Sequence, residues 1–354
     1  MTDFTEFVSN KIRACFGDGA VLRGLTPLAG DASSRRYYRA LLSGDAPGSL
    51  IVMELAGNSL PLSSEELAVF ARPPTELPFL SLHRFLSRLG VRIPALYGEW
   101  ADEGVLFLED LGDRSLWDAA QNLARDGAGK LYQKAIDELV KIHVRGTKAR
   151  DDACIAFQQR FDFRLYMWEF EHFVEYGFSD SSRELAANDQ ALLLRAFERI
   201  ARDLDSQTPC LNHRDFHSWN LIVRDGEIAV IDFQDALLAP MQYDLASLLN
   251  DRDTDRVINR QMEEQLIDYY LQRRRELGEP PVDRAAFFEC YVLSALQRDF
   301  KVVGRFQYLA RVKGKPQYRK YLPPTLRRLR RNLARAPDFD HLISVLGRYF
   351  EEMR

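Results

Sequence analysis

Leu211-Asn212-His213-Arg214-Asp215-Phe216-His217-Ser218-Trp219-Asn220, followed twelve positions later by Asp232 in Ile231-Asp232-Phe233, is the stretch on which the reading of this chain turns. It sets a carboxylate, a carboxamide and a second carboxylate around one loop and two short apolar runs. The runs, Leu221 to Val223 and Ile228 to Ile231, are separated by Asp225-Gly226, a pairing that predicts a tight β-hairpin. Such a hairpin returns the chain so that Asp232 faces Asn220. Three oxygen-bearing side chains gathered in this way suit movement of a phosphoryl group from a magnesium nucleotide to a hydroxyl.

The physical case rests on what that reaction asks of a protein. Its transition state leaves little covalent work, so positioning and charge neutralisation dominate. The protein-kinase loop reads His-Arg-Asp, then four residues, then Asn, with the Asp beside the nucleophile and the Asn on magnesium. His213-Arg214-Asp215 and Asn220 keep that spacing. Magnesium takes hard oxygen donors and few protein carboxylates, leaving its other positions to phosphate and water. Asn220 and Asp232 fit that need, with Asp215 as the base that orients the acceptor hydroxyl. Taken singly, each residue reads as a turn, a cap or a solvated loop position; the pattern carries the specificity. His213 reads as a structural brace of the loop.

The remaining sequence places this loop in a larger frame. The chain has 354 residues, 46% apolar, with a formal net charge of −4. That balance calls for neither a nucleic acid nor a membrane as partner. Cys15, Cys154, Cys210 and Cys290 are widely spaced and form no CxxC pair, so inert thiols in a reducing compartment are expected. Met1 to Phe16 lacks an apolar signal region, and no apolar run approaches the roughly 20 residues of a membrane span, so a cytoplasmic protein is expected. Alternation predicts strands over Val21 to Leu28, Tyr37 to Leu42 and Leu50 to Leu55, and a hairpin from Tyr97 to Leu108. Helical spacing appears over Glu76 to Leu89. After Leu111-Gly112 long helical patterns take over, interrupted only between Pro209 and Leu238. The expected architecture is α+β and bilobal, with a β-rich lobe over 1–110 and a larger helical lobe over 111–354.

His213 to Asn220, Ile231-Asp232-Phe233-Gln234-Asp235 and Pro240-x-x-Tyr243-Asp244-Leu245-Ala246 resemble the signature of the aminoglycoside phosphotransferase and choline-kinase-like superfamily. The resemblance implies a protein-kinase-like bilobal fold acting on small-molecule hydroxyls, with Asp215 as catalytic base and Asn220 with Asp232 as Mg2+ ligands. Asp232-Phe233-Gln234 in place of Asp-Phe-Gly points to a small-molecule kinase. Gly30-Asp31-Ala32-Ser33-Ser34-Arg35-Arg36-Tyr37-Tyr38-Arg39, Leu296 to Gly304, and Pro316 to Pro323 with Tyr318 and Tyr321 resemble, more narrowly, the anomeric amino-sugar kinases of bacterial cell-wall recycling. That implies transfer from ATP to the C1 hydroxyl of N-acetylmuramate or N-acetylglucosamine. An aminoglycoside, choline or homoserine-like acceptor is one alternative. A nucleotide-binding pseudokinase is another, because the Lys expected on the strand Leu50 to Leu55 is absent and Met53 or Glu54 stands there.

For the nucleotide, the reading selects Ser33 and Ser34 in a turn over the phosphates, Met53 at the missing Lys position, and the linker Phe107 to Gly112, with Glu109 and Leu111 meeting the base through their backbones. Arg35, Arg36 or Arg39 is to replace the missing cation, Arg36 being the chosen one. For the acceptor it selects His217, Arg164, Glu169, Gln297, Arg298 and Lys301, a mainly cationic wall suited to a sugar acid. An acidic wall beside Asp215 would instead favour a cationic acceptor. The aromatic run from Phe161 to Phe173 reads chiefly as core, and Arg327 to Arg331 as a solvated helix face.

Overall fold

The computed structural model describes residues 2–28, 35–55, 76–181 and 183–354. Helix α1, Thr2–Phe16, precedes strands β1 Val21–Pro27, β2 Arg36–Ser43 and β3 Ser49–Glu54. Helix α2, Pro78–Arg88, leads to β4 Leu96–Trp100 and β5 Val105–Glu109. The five strands form one antiparallel sheet in the order β1-β2-β3-β5-β4. The fold is α+β, with this sheet at the N-terminal end and a mainly helical remainder.

Period-two alternation decides what each face of the sheet meets. Ala40, Leu42, Leu50, Val52, Val105 and Phe107 pack under Val8 and Ile12 of α1. That helix was not anticipated, although Phe4, Phe7, Val8 and Ile12 recur at helical spacing. The opposite face carries Met53, Leu106 and Leu108 into the large core that runs through the helical part.

The helical part holds α3 Leu116–Ala120, α4 Arg125–Val140, α5 Phe163–Tyr176, α6 Ala187–Asp205, α7 Gln242–Leu249, α8 Arg260–Glu276, α9 Arg284–Arg311, α10 Leu322–Leu333 and α11 His341–Leu346. Two short antiparallel pairs are set among them, β6 Pro209–Asn212 with β9 Leu237–Pro240 and β7 Leu221–Arg224 with β8 Glu227–Val230. Phe161, Tyr166, Phe170 and Phe173 are core, as the aromatic run suggested, and Phe161 stacks on Tyr166 at 4.1 Å. The helices α5 and α9 meet closely at Gly304: a Cβ there would lie 2.8 Å from the Phe173 Cα. Arg328 departs from the expected solvated face. It is buried and ion-paired with Asp299 at 2.7 Å, while Arg327, Arg330 and Arg331 are exposed.

Among the described residues no helix is long and apolar enough to cross a membrane. All four cysteines are free, and burial pushes the Cys210 and Cys290 thiols up to about 12, which leaves both unreactive.

Candidate active site

Asp225 and Gly226 both adopt positive φ, +53° and +78°, the twist a two-residue hairpin turn requires. Leu221 pairs with Val230, and the Ile231 N–H donates to the Asn220 carbonyl at 3.0 Å. Asp232 is thereby carried back to Asn220. The Asn220 Nδ2 donates to the Asp215 carbonyl at 3.0 Å and lies 3.5 Å from Asp232 Oδ2. The three residues are brought together at one exposed edge of the loop. Gln234 Nε2 donates to Asp232 Oδ1 at 2.8 Å.

Arg214 and Asp232 both hold positive φ, +79° and +63°, rare for residues with a side chain. Such strain persists only where surroundings enforce it. Asp244, at the start of α7, does so for Arg214. Its Oδ2 accepts the His213 N–H at 2.5 Å and its Oδ1 the Arg214 N–H at 2.9 Å. His143 Nε2 stands 3.3 Å behind that carboxylate, within a π-helical turn, Lys141–Gly146. Asn212 Nδ2 donates to the Ala239 carbonyl at 2.9 Å, tying the loop to β9. His213 behaves as the expected brace: Nδ1 accepts the Asp215 N–H at 3.3 Å, so Nε2 carries the proton toward the Ile231 carbonyl at 2.9 Å. The bracing roles of Asp244, His143 and Asn212 escaped the sequence reading. The available signal was an acid inside the apolar run from Tyr243 to Leu249.

Asp215 keeps 37% of its side chain exposed, with Oδ1 3.6 Å from Arg298 Nη1. Burial pushes this carboxyl up, but Lys301, Arg298, His217 and Arg214 together hold it well below the ordinary carboxylate range. It is a charged acceptor at neutral pH. Burial keeps the His217 imidazole low, against the pull of Asp251 and Asp215.

Several predicted positions need correction. Glu169 is 2% exposed and is already bound by Lys301 at 3.0 Å, Gln297 at 2.6 Å and Arg214 at 3.5 Å. Gln297 is wholly buried. This pair forms an internal network behind Asp215, not a face for an acceptor. Arg298 is also buried and donates to the Arg214 carbonyl at 2.9 Å, which positions the loop. Lys301 is partly exposed at its edge. Arg164 is exposed on α5, five residues and so about 140° around the helix from Glu169, which turns it away.

On the nucleotide side, Ser33 and Ser34 lie outside the described residues. Arg36 has a 71% exposed side chain paired with Glu54 on the α1 face of the sheet, so it does not supply the cleft cation. Arg39 is held by Asp110 and Asp113, each at 2.7 Å. Arg35 is the buried one, and the charges of Asp235 and Asp232 act on it. Met53 is fully buried in the core, opposite Leu106. The Glu109 side chain is gripped by Arg92, and its N–H donates to the Ala95 carbonyl at 2.8 Å, which leaves only its carbonyl for a base. Among the described residues the Leu111 N–H makes no hydrogen bond, and its side chain packs on Ile222 and Ala229.

The oxygen donors of Asn220 and Asp232, one carboxamide and one exposed carboxylate, fit magnesium.

A profile of the phosphotransferase enzyme family matches residues 24–279. The chain belongs to that family. It is 29% identical over 331 residues to an N-acetylmuramate/N-acetylglucosamine kinase of Pseudomonas aeruginosa, covering 91% of this chain and 88% of the relative. It is 31% identical over 318 residues to the protein of that name from Caulobacter vibrioides, covering 84% of each. Among solved structures it resembles an ADP-bound aminoglycoside phosphotransferase, with a TM-score of 0.59 at 17% identity, covering 92% of this chain and 97% of that one. It also resembles the choline kinase of Streptococcus pneumoniae, with a TM-score of 0.54 at 15% identity, covering 90% and 99%. These two likenesses show the shared fold. The family and the kinase relatives make this chain a nucleotide-using phosphotransferase.

Proposed function

We propose that this protein is an ATP- and Mg2+-dependent kinase that phosphorylates the anomeric C1 hydroxyl of N-acetylmuramate, N-acetylglucosamine or a related amino sugar. The observation that carries the reading is the open Asp215 carboxylate, next to which stand Arg298, Lys301 and Arg214, basic groups that set the local charge although each is also bound by protein groups. A cationic acceptor such as choline or an aminoglycoside needs an acidic wall there; a neutral or acidic sugar does not. The four curated relatives, all named N-acetylmuramate/N-acetylglucosamine kinases, support the same acceptor.

In this reading Asp215 accepts a hydrogen bond from the C1 hydroxyl and aims its oxygen at the γ-phosphorus. The new O–P bond forms as the bond to the β,γ-bridging oxygen breaks, and the hydroxyl proton leaves late, through Asp215 to water. A strongly basic carboxylate is not required, which agrees with the low range in which its neighbours hold Asp215. Asn220 and Asp232 would hold Mg2+, which when bound neutralises charge on the transferring phosphates. Arg35 takes the place of the absent strand lysine. The Glu109 carbonyl and Leu111 N–H meet the base. The reading sets the reaction in the cytoplasm, where ATP is supplied.

The test is to incubate the protein with magnesium ATP and a mixture of amino sugars, amines and alcohols, then find by mass spectrometry which gains a phosphate. An amino sugar phosphorylated at C1 is expected; transfer to an amine-bearing alcohol instead defeats the reading. Asp215→Asn should lower turnover by about 100-fold or more while ATP affinity stays within a few-fold.

A further inference from the structure

The cations first expected to meet the acceptor are engaged elsewhere. Lys301 and Arg214 face Glu169, and Arg298 serves the Arg214 carbonyl and Asp215. Arg252 is different. Its guanidinium lies 5.3 Å from the Trp219 ring centroid and 4.9 Å from that of Tyr321. Two aromatic rings thus hold a planar cation in place. Among the described residues it makes no hydrogen bond and no salt bridge, and it is only partly buried. Trp219 sits in the loop between Asp215 and Asn220, so Arg252 stands against that loop, where its charge reaches His217, a neighbour of Asp215. Asp253, which follows it, has φ of +64°. The neighbouring Asp251 is 7% exposed, and among the described residues its Oδ2 has no hydrogen-bond partner. The charge of Arg252 is felt at both His217 and Asp251.

We propose that Arg252, stacked on Trp219 and Tyr321, is the receptor for a carboxylate on the acceptor sugar and so sets the preference for N-acetylmuramate over N-acetylglucosamine. This rests on the sugar-kinase reading above. The two sugars differ in a lactyl ether on C3, two ring positions from C1, with its carboxylate two bonds beyond the ether oxygen. A receptor for it must therefore lie past the far edge of the sugar ring as seen from Asp215. A guanidinium presents paired N–H donors that match a carboxylate, and prior stacking removes much of the ordering cost. The neutral sugar gains nothing from it.

The test compares initial rates for both sugars in the native protein, Arg252→Gln and Arg252→Lys, with thermal melts to establish folding. The expected result is that the ratio of kcat/KM for N-acetylmuramate to that for N-acetylglucosamine falls about 10- to 100-fold in Arg252→Gln, through KM, as loss of a charge-assisted hydrogen bond implies. Arg252→Lys should recover part of it. In the native protein, raising salt to about 0.5 M should increase KM for the acidic sugar and not for the neutral one. This second arm needs no variant. An unmoved ratio in Arg252→Gln, or equal salt sensitivity for both sugars, overturns the inference. If the native protein phosphorylates neither sugar, the sugar-kinase reading falls with it; if it phosphorylates both and the ratio does not move, only the role of Arg252 falls.

Discussion

Asp244→Asn tests how the loop is held. The native carboxylate accepts two backbone N–H groups, from His213 and Arg214. Asparagine keeps one carbonyl oxygen and turns an NH2 group toward the other N–H. One charge-assisted bond is lost, the second becomes neutral, and a buried donor is left unsatisfied; these effects sum to about 3–5 kcal/mol. With an unfolding entropy near 2.1 cal/mol/K per residue, a chain of this length should melt about 4–7 °C lower. Arg214 would then relax from its positive φ and move Asp215. A shift near 1 Å at a reacting group costs about 100-fold in rate, so turnover should fall by about 10- to 100-fold. Scanning fluorimetry reads the first effect and a coupled ADP-release assay the second. A variant that melts within about 1 °C of the native protein and turns over normally refutes the bracing argument.

Three further outcomes are expected. Asp232→Ala should weaken magnesium-nucleotide binding by about 10-fold or more in calorimetry, and unchanged affinity would remove it from the metal site. Because the folded-state pKa of Asp215 is depressed, its charge and the stability tied to it are present above the ordinary aspartate range and are lost only as pH falls below that range. At saturating magnesium ATP, kcat should therefore show no acid limb from this group above pH about 5; a titration near 6 would place the base elsewhere, with His217 the first candidate. Gly304→Ala should lose about 1–2 kcal/mol net, since helix propensity returns about 1 kcal/mol against a larger overpacking cost at the Phe173 backbone. Thermal melting checks this, and an equal or higher midpoint would count against it.

The parts of this molecule that were legible in the sequence are the locally determined ones. The hairpin at Asp225-Gly226 needs two residues of particular backbone freedom, and its return of Asp232 to Asn220 follows from strand length alone. The strands from Val21 to Glu54 declared themselves by alternation. The acceptor wall was misread for a different reason. Gln297 and Lys301 do share a face of α9, as their spacing required, but the face meets Glu169 across a helix crossing that Gly304 makes close. Sequence spacing gives the face and not the partner. Arg252, Trp219 and Tyr321 come from three separate segments, and only the fold stacks them. Arg328 looked like one member of a basic run, yet Asp299, 29 positions earlier, takes it inside.

The connection at residues 109–113 carries three acids, held by arginines from three different parts of the chain. Arg39 comes from β2, Arg92 from the segment before β4, and Arg224 from the end of β7, where it reaches the Asp110 carbonyl and faces Glu109. The joint is thus cross-tied from above and below. Wide jaw opening about that segment would have to part several charged contacts at once. Under the proposed kinase reading, exchange of ADP for ATP should accordingly proceed without wide opening there, and removal of Arg39 would take the paired cation from both Asp110 and Asp113.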